Sequence, residues 1–132
     1  MSVFVDTSAI LAVMDADDQY HAKAKMAWQE ILSSKEDLVS TNYILVETFA
    51  LVQNRLGLDA VRLFQEDIVP VLEVSWITKE LHRAAMAMLL SKRQKRLSLV
   101  DCVSFLVMHQ IDIKKAFAFD RHFKEEGFAI IP

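Results

Sequence analysis

Glycine and proline each occur only twice among the 132 residues, and cysteine occurs once. So few chain breakers exclude collagen-like and linker-rich classes, and a hydrophobic fraction of 53% excludes a disordered chain. Cys102 has no second cysteine with which to form an internal disulfide, and one free thiol with six methionines suits a reducing compartment. No apolar run approaches the roughly 20 residues of a bilayer span, and the N-terminus carries neither the basic segment nor the apolar run of a secretory signal. A cytoplasmic protein without membrane contact is expected. A basic excess is also missing: the net charge is −3, so any polyanion must be met by a local patch.

What the chain has is alternation. This length suits one domain over residues 1–132, which buries about two-thirds of its extended surface. Val3–Val5, "DLVS", "VLEVSW", "KAFAF" and "FAIIP" read as strands. Between them lie helical patterns: "SAILAVMDA"; "HAKAKMAWQEILSSK", with an apolar stripe of Ala24, Ala27, Trp28, Ile31 and Leu32; "NYILVETFALVQNRLG", stopped at Gly57; "LDAVRLFQEDIV", ended by Pro70; "TKELHRAAMAMLLSKRQK"; and "LVDCVSFLVMHQ". "DRHFKEEG" reads as a surface turn. Strands separated by crossover helices imply a parallel sheet covered on both faces, hence a three-layer α/β/α domain with five short strands. Periodicity leaves the strand order open.

Four carboxylates stand in unusual places. Asp6 and Asp120 each follow a strand, where open parallel sheets place their sites. Glu47 is the one charge between Tyr43 and Val52, and Asp101 is the one charge in "SLVDCVSFLVM". Each has an ordinary explanation: Asp6 as a helix cap, Ser98 and Asp101 as a capping box, Glu47 at a wet helix edge, Asp120 as a turn residue. If they converge, four like charges require protonation or a cation. His21, His82 and His109 show no zinc spacing, His122 falls in the expected surface turn, and Cys102 reads as a small core residue. Lys92, Arg93, Lys95 and Arg96 form the one basic cluster, which suits a helix C-terminus and could also track an RNA backbone.

Taken in order, "FVDTSAILA", the isolated Glu47, "SLVDCVSF" and "AFAFDRHFKEEGF" resemble the motifs of the PIN domain, and most of all the VapC-type toxins of toxin–antitoxin pairs. The resemblance implies a five-stranded parallel sheet of order 3-2-1-4-5 and a ribonuclease that uses Mg2+ or Mn2+. Such an enzyme hydrolyses RNA phosphodiester bonds to leave a 5′-phosphate and a 3′-hydroxyl. It maps an acidic quartet onto Asp6, Glu47, Asp101 and Asp120, with Asp6 and Asp120 as principal metal ligands and Asp101 as a further one. Glu47 would bind a second metal or orient the attacking water. The family's early hydroxyl position falls on Thr7, with Ser8 beside it as a helix cap. A cognate antitoxin and a homodimer are the implied partners beside RNA. Two departures stand out: Ala118 where many relatives have a hydroxyl, and His122 where some have an acid. A phospho-accepting receiver domain fits less well, since the first strand lacks an acidic pair and no lysine follows the last strand. A nuclease of RNA processing, or an idle module that kept the fold, remains as an alternative.

Overall fold

A computed structural model describes residues 1–132. Five strands form one parallel sheet: β1 (Ser2–Val5), β2 (Asp37–Thr41), β3 (Glu73–Ser75), β4 (Lys115–Phe117) and β5 (Ala129–Ile131). Their order is β3-β2-β1-β4-β5, as the resemblance implies. Val5 lies opposite Phe117 in the register of β1 with β4, so the chain leaves these two strands side by side at the carboxyl edge.

The first two connections lie on one side of the sheet and the last two on the other. Helices α1 (Thr7–Met14) and α2 (His21–Ser33) link β1 to β2, and α3 (Asn42–Leu56) and α4 (Leu58–Leu63) link β2 to β3. Then α5 (Lys79–Lys92) and α6 (Leu99–Gln110) carry the chain back across to β4, and the one-turn α7 (His122–Glu125) leads to β5. Right-handed crossovers in opposite directions put the first four helices on one face and the last three on the other. Aromatic contacts agree with that division. Trp28 of α2 stacks on Phe117 at 6.1 Å, while Phe4 meets Phe123 of α7 at 6.2 Å, and Phe123 in turn meets Phe105 of α6 edge-on at 5.1 Å. Phe4, Phe105, Phe117 and Phe123 are all fully buried or nearly so. Each contributes about 1.5–3 kcal/mol of transfer free energy relative to exposure. No helix is long and apolar enough to cross a membrane.

Local differences from the sequence pattern have local causes. The helix from Leu58 does not run unbroken to Pro70: α4 gives way at Phe64 to a wider turn, in which the Val69 N–H reaches back to the Phe64 carbonyl. Pro70 has no N–H to continue the α ladder, and a short 3₁₀ turn ends the segment. The helix expected to reach Lys95 stops at Lys92, where Arg93 takes φ 54° and ψ 34°. Gly57 ends α3 as expected, at φ 91° with an extended ψ of 179° that only glycine adopts readily. On α2 the stripe holds for Ala24, Ala27 and Ile31, but Leu32 is an exposed residue and Trp28 only half-buried. β4 ends at Phe117, so Asp120 follows it by three residues and not directly.

Candidate active site

Each acidic residue is placed by a different element, and in three cases the ordinary helix or turn role is real. Asp6 is the N-cap of α1: its Oδ2 accepts from the Ser8 N–H at 3.1 Å and from the Ser8 hydroxyl at 2.6 Å. Ser8 therefore is not the cap expected from the sequence but a donor to the cap. The same hydroxyl accepts from the Phe119 N–H at 3.0 Å and so ties the exit of β1 to the exit of β4. Asp101 completes a capping box with Ser98, with bonds of 3.0 Å in each direction. Asp120 Oδ1 accepts from the His122 N–H at 2.9 Å, which closes an Asx turn before α7. Glu47 lies on α3, whose inner surface is held against α1 by the hydroxyl pair Thr7–Thr48 at 3.0 Å.

These local bonds do not keep the four groups apart. Asp6, Glu47, Asp101 and Asp120 line one cavity of about 270 Å³, together with Thr7, Ser8, Ser98, Arg96 and the side chains of Leu11 and Leu51. Of the basic cluster, Arg96 alone lines it. Lys92 is paired with Glu126 at 3.1 Å, and Arg93 and Lys95 are exposed.

The electrostatics reflect crowding out of water. Burial pushes the Asp6 carboxyl from its ordinary 3.8 up to about 7; the two Ser8 hydrogen bonds oppose this, and the charges of Asp101 and Asp120 add to it. Burial also raises Glu47, with Asp101 and Asp120 acting in the same direction and the Thr7 hydroxyl against. Asp101 is raised by burial and then by Asp120, with Ser98 and His122 opposing. Every resolved shift in the cavity is upward, so the ionised set is short of positive charge. A divalent cation is the natural complement.

The donor set fits one. Asp6, Asp101 and Asp120 each accept a local hydrogen bond on one oxygen, which orients the carboxylate and leaves it further acceptor capacity for an ion. Hard cations such as Mg2+ and Mn2+ take carboxylate oxygens in this way. Cys102 is no candidate for a nucleophile: it is fully buried in the core, and burial with the neighbouring Asp101 raises its thiol further.

His122 is the residue that the sequence pattern misplaces. It does not sit in a solvated turn: its side chain is 14% exposed, and its Nδ1 lies 2.8 Å from Asp120 Oδ1 and 3.8 Å from Asp101 Oδ2. One donor atom from each of Asp101, Asp120 and His122 falls within 4.8 Å of the others. The signal available in the sequence was its position two residues after Asp120, where the Asx turn brings the side chain back over the carboxylate.

Comparison with known proteins agrees with this fold. The PIN domain pattern matches residues 3–128. The 23S rRNA-specific endonuclease VapC20 of Mycobacterium tuberculosis, known from strains CDC 1551 and H37Rv, is 36% identical over 128 residues, covering 96% of this chain and 95% of that protein. The crystal structure of M. tuberculosis VapC20, described as a sarcin–ricin loop cleaving toxin, superposes with a TM-score of 0.87 at 33% identity, over 98% of this chain and 99% of the other. FitAcB from Neisseria gonorrhoeae shares the fold alone, with a TM-score of 0.69 at 13% identity over 100% of this chain and 97% of that one.

Proposed function

The chain belongs to the PIN-domain family, and on that premise we propose that it is a Mg2+- or Mn2+-dependent endoribonuclease, the toxin of a toxin–antitoxin pair. The observation that carries the reading is the meeting of four carboxylates from four separate elements in one cavity beyond the ends of β1 and β4. The near full-length similarity to VapC20 makes 23S rRNA the first substrate to test. A cognate antitoxin and a second copy of the chain are the expected partners, in the cytoplasm.

In this reading Asp6, Asp101 and Asp120 hold the ion, each oriented by its local hydrogen bond. The ion supplies charge neutralisation at the scissile phosphate and acidification of water. Glu47, on α3 and with a raised proton affinity, orients the attacking water and takes its proton. Arg96 at the cavity contacts a phosphate oxygen of the strand and offsets the local negative charge. Ser8 and Thr7 act as positioning residues, the first on Asp6 and Phe119, the second on α3.

The test is cleavage of ribosomes and of total RNA by the purified protein with Mg2+ or Mn2+, with RNA ends sequenced. Wild type should leave 5′-phosphate and 3′-hydroxyl ends at few sites, and Asp6→Asn should lose at least roughly 10²-fold of the rate, the scale on which one active-site electrostatic group is felt. Equal cleavage by wild type and Asp6→Asn would remove the reading.

A further inference from the structure

His122 is chemically out of keeping with its surroundings. The polar lining of the cavity is mostly oxygen donors, and His122, which does not itself line it, sets a ring nitrogen beside two of them, Asp120 and Asp101. That nitrogen is buried and has no hydrogen-bond partner: its approach to Asp120 Oδ1 is close in distance, at 2.8 Å, but not aligned as a hydrogen bond. A buried polar atom left in that state is unfavourable unless something satisfies it. The remaining histidines are engaged elsewhere. His21 Nδ1 meets the Ala12 carbonyl at 2.8 Å, His82 bonds the Tyr43 hydroxyl, and His109 packs on Phe128.

The spacing of the donors suggests what would satisfy Nδ1. Around an ion with bonds of about 2.1 Å in octahedral geometry, adjacent donors stand roughly 3.0 Å apart and opposite donors roughly 4.2 Å. Nδ1 lies 2.8 Å from Asp120 Oδ1 and 3.8 Å from Asp101 Oδ2, separations no wider than one coordination shell spans. We propose that His122 Nδ1 is a direct ligand of the active-site ion, and that it biases the site toward Mn2+ over Mg2+. Imidazole nitrogen suits first-row transition ions, whereas Mg2+ favours oxygen, so replacing an acid with histidine at this position trades both charge and hardness for nitrogen affinity. The inference rests on the metal-dependent reading above and deepens it.

Mn2+ itself is the probe. Binding of Mn2+ and of Mg2+ is measured by calorimetry on wild type, His122→Ala and His122→Asp, and the Mn2+ complex is examined by pulsed electron paramagnetic resonance with 14N- and 15N-histidine protein. Wild type should show nitrogen coupling that changes with the histidine isotope. His122→Ala should lose the coupling and weaken Mn2+ binding by roughly tenfold or more, with Mg2+ binding little changed. His122→Asp should lower the Mn2+ to Mg2+ affinity ratio. The isotope arm uses wild type, so it stands even where a variant folds poorly. Mn2+ binding with no nitrogen coupling would overturn the assignment and leave the nuclease reading intact, with His122 serving as an ion-pair partner of Asp120. No binding of Mn2+ or Mg2+ by wild type would overturn both.

Discussion

Within three residues of β4 the molecule changes from a buried aromatic layer to a cluster of carboxylates. Phe117 is fully buried, stacked on Trp28 and paired in register with Val5, whereas Asp120, just beyond, shares a cavity with three other acids. The aromatic layer is stable because every contact in it is favourable alone and together. The acidic layer above it is held in place by its neighbours against its own repulsion. The same strands serve both, since a rigid apolar floor is what keeps carboxylates from relaxing apart.

Removing a piece of the floor should cost the most stability. Phe4→Ala takes a ring from between β1 and α7, and should lower unfolding free energy by about 3–5 kcal/mol, measured by denaturant titration. A loss under about 1 kcal/mol would mean that the aromatic layer is not what supports the site.

Above that layer the sign should reverse, and pH shows it. The folded state holds the Asp6 proton up to about pH 7, while the unfolded chain releases it near 3.8. Between those values the folded form binds more protons, so metal-free stability falls as pH rises from about 4 to about 7, by an amount of order a few kcal/mol, and stays low above. Asp6→Asn should flatten this fall and be more stable than wild type near pH 8 without metal. Added Mg2+ or Mn2+ should stabilise wild type most at high pH, where the site is ionised. Thermal melts at pH 5 and pH 8, with metal and with chelator, measure both; a stability that rises toward pH 8 in chelator would contradict the raised proton affinity of Asp6.

The smallest effect concerns the rim. Arg96→Ala should weaken RNA binding and reduce the magnitude of its log–log salt slope by about 1, with little change in melting temperature. Arg93→Ala and Lys95→Ala, whose side chains lie outside the cavity, should change it less. Equal effects for all three would make the cluster a diffuse surface charge and not a contact at the site.

The sheet and its helices were legible because the apolar pattern changes period along the chain. Asp6, Glu47, Asp101 and Asp120 stood out because a charge in an apolar run is expensive and needs a reason. The ordinary and the unusual explanations proved compatible at Asp6 and Asp101, where a cap bond uses one oxygen and leaves another. The residues misread were those whose surroundings come from distant segments. "DRHFKEEG" looks solvated from its own composition, yet α6 brings Asp101 against His122 and buries it. Lys92 and Arg96 look equivalent in sequence, but the helix ends at Lys92 with its side chain turned to Glu126, and Arg96 follows the loop back to the cavity.

By itself the sequence determined the strand and helix periods, the location of isolated charges in apolar runs, and a family likeness from the order of its motifs. Those are properties of neighbours along the chain. Only the tertiary structure decided that Ser8 bridges two strand exits, that one arginine of the cluster lines the acidic cavity, and that an imidazole nitrogen stands beside two of the acids. Such contacts depend on strand register and crossover side, which arise from packing the whole sheet at once.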